Sequence, residues 1–381
     1  MGLASWFGGI GSSAAGYILP FLFVLTIVVF FHELGHFLVA RWTGVAVRTF
    51  SIGFGPELLG FNDRRGTRWR ISAIPLGGYV KFLGHDTEAS SPDRTALDAM
   101  PAAERARTFA GKNVWARVAI VAAGPIANFI LAIVIFTAIF ATVGRDTIAA
   151  RVDKIAPDSA AAAAGFQVGD VIVSIDGSPV ASFGDVQRMV GFRAGESLHF
   201  VVKRNGQETA LDATPVMQEV TDSFGNKMRM SVLGITREPT ASDITTEHFN
   251  VPQAAWLGTQ ETWFIVDRTL SYLFGVVRGR ESADQLGGPI RVAEVSAQVA
   301  TIGFVALINL AAILSVSIGL INLFPIPMLD GGHLLYFLVE AIRGKPLSER
   351  VQDIGFRIGL AAVLALMIFA TWNDIIHLSS L

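Results

Sequence analysis

Phe31-His32-Glu33-Leu34-Gly35-His36 lies inside the otherwise apolar stretch from Tyr17 to Ala40. On a helix, His32 and His36 fall one turn apart on the same face, so both imidazoles can hold one metal ion while Glu33 reaches a water bound to it. The spacing predicts a zinc site, with hydrolysis by activated water as its chemistry. A chance match in a structural helix is the simpler explanation of so short a pattern. Location argues against it: on insertion scales each ionisable side chain at bilayer depth costs about 2.5–3.5 kcal/mol, so three within one turn require a compensating role.

A catalytic zinc site needs a third protein ligand and an open position for water. Asp330 is the best candidate. It follows an apolar run that Pro325 and Pro327 break, and it precedes a second apolar run. Asp330 could instead cap the helix that follows. Ser or Thr would cap without placing a charge in the membrane, so ligation is preferred. His333 is a weaker candidate, expected beside the site or on a helix face.

These residues need a membrane scaffold. The 381-residue chain is 51% hydrophobic and only 16% charged, with a mean hydropathy of +0.49, too apolar for an ordinary soluble enzyme. Its net charge of -2 speaks against a general attraction to nucleic acid as a partner. With no cysteine, disulfides and thiolate ligands are excluded.

Four stretches are long enough to cross the roughly 30 Å apolar layer of a bilayer: 17 to 40, 115 to 140, 302 to 324 and 356 to 373. The first lacks a positive leader and carries the histidines, so it is expected to be a span, not a removable signal peptide. Basic residues gather between the first two spans, from Arg41 to Lys112, and before the fourth, at Arg343, Lys345 and Arg350. Residues 1–16 and 374–381 have no Lys or Arg. The positive-inside rule then puts both basic loops in the cytoplasm and both termini outside, with His32 and His36 toward the cytoplasmic end of their helix.

In the first basic loop, 45 to 52, 57 to 61, 67 to 74 and 78 to 83 read as short strands of a small membrane-associated sheet. Residues 86 to 112 read as a mobile linker, and His85 as a solvated loop histidine. In the second span, Gly124, Pro125, Ala127 and Asn128 form a small and polar face suited to close helix packing.

Residues 150 to 237 change to alternating strands and turns, with a helix near 182 to 191 and a hairpin closing at Asn205-Gly206. The stretch 252 to 279 is greasy but carries Gln260, Glu261, Asp267 and Arg268, so an amphipathic helix on the outer membrane surface or against the soluble insert is expected, not a fifth crossing. A fifth crossing would also part Asp330 from the histidines.

His-Glu-Leu-Gly-His at 32–36 and Asn322-x-x-Pro325-x-Pro327-x-Leu329-Asp330-Gly331 resemble the paired motifs of the site-2 protease family of intramembrane zinc metalloproteases. Phe50-Ser51-Ile52-Gly53-Phe54-Gly55-Pro56, Ile74 to Lys81 and Ala123 to Phe129 are similar to its bacterial RseP-type branch. Gly165 to Gly177 resembles the core signature of bacterial PDZ domains, one domain where the best-known members carry two.

The resemblance implies a polytopic α-helical membrane protein of four transmembrane helices, with a small β-sheet and one inserted PDZ domain of α+β type. Its domains would be 1–149, the PDZ domain at 150–237, an interfacial helical linker at 238–301, and 302–381. It implies a Zn2+-dependent endopeptidase of the bacterial inner membrane with the PDZ domain in the periplasm. His32, His36 and Asp330 would hold the metal, with Glu33 as general base and Asn322 helping with the oxyanion. Gly77, Gly78, Pro325 and Pro327 would bind substrate. The expected partners are transmembrane protein substrates, such as anti-sigma-factor-like regulators or remnant signal peptides, the lipid bilayer, and a peptide or protein ligand of the PDZ domain. The rival reading is a membrane-anchored PDZ scaffold with a non-catalytic metal site. Glu33 discriminates, because a structural site needs no general base and normally takes a fourth protein ligand.

Overall fold

The computed structural model describes residues 14–84, 100–191, 193–221, 227–240, 243–279, 283 and 287–379; His85 lies outside them. The chain divides into two compact units, Met1–Ile139 with Pro252–Ser380, and Phe140–Val251.

The first unit begins with α1 (Ala14–Trp42), which carries the histidines. Two long bent strands follow, β1 (Val47–Asn62) and β2 (Arg68–Phe82). Each is used twice: Phe50 pairs with both Val80 and Trp69, and Ile52 with both Gly78 and Ile71. The pairing therefore runs, in spatial order, 57–62, 68–72, 47–52, 78–82. The chain can fold back on itself this way because Gly53 and Gly55, both at φ +85°, bend β1 where a side chain would be strained. Segment 78–82 is left with one unpaired edge among the described residues.

The sheet is fastened to α1 by its turn. Asp63 accepts from the backbone N–H groups of Arg65 and Thr67 at 2.9 and 3.0 Å and from Trp69 Nε1 at 3.1 Å, and it pairs with Arg41 at the end of α1. Burial alone would raise this carboxyl, but the bonds from Trp69, Thr67, Arg65 and Arg41 prevail and hold it at about 2. Beneath, Phe50 packs on Trp69 and Phe37 with ring centroids 4.3 and 5.5 Å away.

The linker expected over 86 to 112 is in part corrected. Its first part lies outside the described residues, but Ala102–Arg105 forms a helical turn, Thr108 is fully buried and Phe109 stacks on Phe82. The physical reason is one aromatic residue, since burying Phe109 is worth about 1.5–3 kcal/mol to a segment otherwise polar. Asn113 then accepts the N–H of Ala116 at 2.8 Å and starts α2 (Val114–Thr142).

The second unit opens and closes on paired strands, β3 (Arg145–Ile148) against β12 (Ile244–Glu247). Between them come β4 (Lys154–Ile155), the helical turn Ala160–Ala163, β5 (Val171–Ile175), β6 (Ser178–Pro179) and α3 (Phe183–Val190). Next are β7 (Leu198–Arg204), β8 (Gln207–Ala213), β9 (Val216–Thr221), β10 (Lys227–Val232) and β11 (Ile235–Thr236). One sheet has the order β6-β5-β7-β8; β9 pairs with β10 and β4 with β11. Asn205 (φ +52°) and Gly206 (φ +88°) turn β7 into β8, as Asn-Gly does in a two-residue hairpin.

The chain returns to the first unit through α4 (Val251–Val277), then α5 (Pro289–Ile302), α6 (Phe304–Asn322), α7 (Asp330–Arg343) and α8 (Glu349–Ser379). Among the described residues, four helices are long and apolar enough to cross a membrane: Gly16–Trp42, Val114–Thr142, Phe304–Asn322 and Arg350–Ile376. For α4, expected on the membrane surface or against the insert, the structure shows a contact with α2. The buried residues of α4 are Ala254, Gly258 and Thr262, four apart, and Gly258 rests on the backbone of Ile133 and Thr137 in α2. A stripe of small residues lets two helix backbones approach, so α4 docks on α2. Asp374 near the end of α8 accepts N–H groups of Gly288, Ile290 and Arg291 at 2.8, 3.1 and 3.1 Å, which ties the start of α5 to it.

Candidate metal centre

His32 and His36 project from successive turns of α1, and Asp330 is the first residue of α7. His32 Nε2 lies 3.2 Å from His36 Nε2 and 3.2 Å from Asp330 Oδ2, while His36 Nε2 lies 3.5 Å from the same oxygen. Ligands held about 2.0–2.1 Å from a tetrahedral zinc are about 3.3 Å apart, so these three atoms form one face of such a tetrahedron. Asp330 does not cap its helix: the N-cap position is Leu329, and no side-chain cap bond is made there. Asp330 Oδ2 is buried without a hydrogen-bond donor. His36 Nδ1–H donates to the carbonyl of Ile120 at 2.9 Å, which leaves a lone pair on Nε2. A lone pair of His36, a second imidazole nitrogen and a buried carboxylate oxygen thus converge, and that donor set fits zinc.

The loop bringing Asp330 here is strained and tightly held. Met328 has φ +131°, a region a side chain rarely enters and one that costs about 1–3 kcal/mol unless its surroundings enforce it. Enforcement comes from glycines. A Cβ on Gly331 would strike the carbonyls of Leu323 and Phe324, one on Gly332 the carbonyl of Ile326, and one on Gly359 of α8 the carbonyl of Pro327. The loop is thus folded onto the start of α7 and pressed against α8.

Close approach also joins α1 to α2. A Cβ on Gly35 would meet the carbonyl of Ala123, and one on Gly124 would enter the space of His36 Nε2 and His32 Cε1. Asn128, one turn along, is fully buried with Nδ2 3.4 Å from His32 Nδ1 and Oδ1 without a partner. Leaving a buried polar atom unpaired costs about 1–3 kcal/mol.

Glu33 stands outside the ligand triangle, between α1 and segment 78–82: a Cβ on Gly78 would lie 3.0 Å from Glu33 Cγ and 2.9 Å from Val29 Cγ1. Gly77, at φ +135°, is next to it and faces the ring of Phe54. Asn322 is the last residue of α6 and half-buried; Pro325 is exposed, while Pro327 turns toward α8. His333 stands edge-on to Tyr336, ring centroids 6.3 Å apart, and is not one of the converging ligands. The sequence reading missed the Ile120 carbonyl, the place of Asn128 beside His32, and Gly359 on α8. The small face of 124–128 was visible as a packing surface, but nothing local to it pointed at the histidines.

Residues 20–366 match the family described as peptidase family M50. A protein of Agrobacterium fabrum, provisionally named a zinc metalloprotease, is 51% identical over 360 residues, covering 94% of this chain and 96% of its own. A Brucella suis protein with the same kind of name is 46% identical over 373 residues, 98% of each chain. Metalloprotease MmpA of Caulobacter vibrioides is 39% identical, covering 94% of this chain and 95% of its own. Among solved structures, the PDZ domain of an SdrC-like protein from Listeria monocytogenes matches 24% of this chain and 87% of its own at 22% identity, with a TM-score of 0.19.

Proposed function

The chain belongs to peptidase family M50, a family of zinc-dependent proteases, and from that premise we propose that it cuts the membrane-spanning segments of other proteins at His32, His36, Asp330 and Glu33. The observation that carries this reading is the triangle of three ligand atoms, all within 4.8 Å of one another, between helices able to span a membrane. The rival scaffold leaves Glu33 beside that triangle unexplained.

Depth follows from helix geometry. At about 1.5 Å per residue, His36 and His32 lie about 9 and 15 Å along the axis from Trp42. Trp42 and Trp115, at the basic ends of α1 and α2, are both exposed, as aromatic residues at a membrane interface are. With the basic loops in the cytoplasm, cleavage takes place below that face of a bacterial inner membrane.

His32, His36 and Asp330 would hold the metal. Zinc there would supply the Lewis acidity that makes water a nucleophile near neutral pH. Glu33 takes the proton of the attacking water and delivers it to the amide nitrogen as the peptide bond breaks. A helical substrate hides its carbonyls in its own hydrogen bonds, so it must unwind; the free edge at 78–82, with Gly78 against Glu33 and Gly77 beside it, accepts the extended strand. Pro325 and Pro327 are assigned to substrate binding, and Asn322 to steadying the developing oxyanion. Membrane-tethered regulators and remnant signal peptides are the proposed substrates.

Every group assigned to chemistry belongs to the first unit, so the insert, read as a PDZ domain over 150–237, selects substrates without reacting with them. Ile148 and Ile244 are β-partners, so an Asn-Gly turn joining them removes the insert and keeps the β3–β12 ribbon. That protein should still cut a short spanning peptide and should gain the ability to cut one with a large outer domain. Loss of both activities with zinc retained would make the insert part of productive binding.

The test of the reaction is Glu33→Gln in cells and as purified protein. It should lower turnover by about 10²- to 10⁴-fold or more, keep zinc at wild-type stoichiometry and let uncut membrane fragments accumulate. Near-normal turnover with zinc bound would overturn the mechanism.

A further inference from the structure

We propose that Asn128 is a positioning residue of the metal centre, its amide oxygen accepting the Nδ1–H of His32 and thereby aiming the Nε2 lone pair at the metal. The inference rests on the reading of His32 as a zinc ligand. A ligating Nε2 must be bare, so the ring proton sits on Nδ1 and needs an acceptor. The group facing His32 Nδ1 is the Asn128 amide, 3.4 Å away and fully buried. Of its two ends only the oxygen accepts, and Oδ1 is the atom left without a partner in the opposite orientation. The ends are of equal size, so a half-turn of the amide places Oδ1 on the imidazole without repacking.

Two further observations make this an organised support. His36 hangs from the same helix in the same manner, its Nδ1–H on the carbonyl of Ile120. Both imidazoles are then oriented by α2, one by a main-chain and one by a side-chain acceptor. Asn128 is itself held by α6: Ser315 Oγ, fully buried, donates to its carbonyl at 2.9 Å, and Gly319 allows the helices to close so far that a Cβ there would lie 3.1 Å from Asn128 Cβ. Since α6 runs directly into the loop carrying Asp330, the helix that steadies the orienting amide also delivers the third ligand.

The experiment measures zinc affinity of the full chain in detergent by competition with a chelator, and the visible absorption of the cobalt-substituted protein. The variants are Asn128→Leu, Asn128→Asp and His32→Ala. Asn128→Leu should weaken zinc about 10- to 100-fold, as loss of a group orienting a ligating histidine does. Asn128→Asp keeps an acceptor of the same shape, so it should bind zinc at least as tightly as wild type and move the cobalt bands. A packing role would predict no move in those bands for either variant. His32→Ala separates the two claims. If it retains wild-type affinity, the metal reading itself fails. If it loses zinc while Asn128→Leu stays within twofold of wild type, or if Asn128→Asp is as impaired as Asn128→Leu, the orienting role is overturned and the site stands. Should Asn128→Leu not fold, the Asn128→Asp affinity and its cobalt spectrum decide alone.

Discussion

The insert and the membrane unit are held together by different information. In the insert, Leu198, Phe200 and Val202 are fully buried and alternate along β7 with exposed or half-exposed His199, Val201 and Lys203. Polarity sorts inside from outside there, and a capping box at Ser182 and Asp185 marks where α3 begins. In the membrane unit, α1, α2 and α6 are apolar on nearly every side, so polarity cannot say which face meets which helix. Size decides instead: Gly35, Gly124, Gly331, Gly332 and Gly359 mark the places where backbones touch around the site. Lipid is as apolar as leucine, so helices within it gain little from hiding leucine and much from close contact.

That contrast breaks most sharply at Gly124. A Leu there must occupy the space of His36 Nε2 and His32 Cε1, so Gly124→Leu should abolish zinc binding while helix content by circular dichroism stays near wild type. Zinc bound at full stoichiometry would show that α2 can withdraw from α1, and size would no longer be the organising variable. Gly359→Val should act in the same direction but less completely, since α8 can shift where the histidine pair cannot; a fall in zinc affinity is the readout, and unchanged affinity would free the Asp330 loop from α8.

The insert should answer oppositely. Phe200→Ala removes a fully buried ring and should destabilise that unit by about 3–5 kcal/mol. The insert contains neither Trp nor Tyr, so hydrogen exchange of its peptides is the measurement. Zinc content should not change; a loss of metal would mean that the two units share their stability.

This difference also explains how far the sequence could be read. The hairpin at Asn205-Gly206 and the helix at Phe183–Val190 were legible because their signals are local. The four long apolar helices were legible from length and hydropathy, and the convergence of His32, His36 and Asp330 because a charge in an apolar run is costly and therefore conspicuous. Ile120, which orients His36, was not legible, because a main-chain carbonyl has no side-chain signature and lies 84 residues away. The packing of Phe109 was hidden for another reason: its polar neighbours dominate any composition window, although one ring decides the contact. Asp374 was overlooked because a capping residue 86 positions from the N–H it satisfies has no motif.

The smallest predicted effect is in acid, and in the insert it is read at Asp153. Asp153 accepts from Arg151 Nε at 2.8 Å and from the N–H of Glu238 at 2.9 Å, and it pairs with Arg237, whose side chain is nearly inaccessible. Burial alone would raise this carboxyl, but the bonds from Glu238, Arg151 and Arg237 outweigh it and hold it at about 2. A carboxyl whose pKa is depressed on folding stabilises the fold fully above its unfolded value of about 3.9, and that contribution disappears as pH falls through the folded value. Exchange protection of 150–237, corrected for intrinsic rates, should therefore be level above pH 5 and decline between pH 4 and 2. Asp153→Asn should be less protected at pH 7 and flatter across that window, because the amide keeps the shape and loses the charge. If the variant declines as steeply as wild type, other carboxylates carry the acid response and the Arg237 pair is a packing contact.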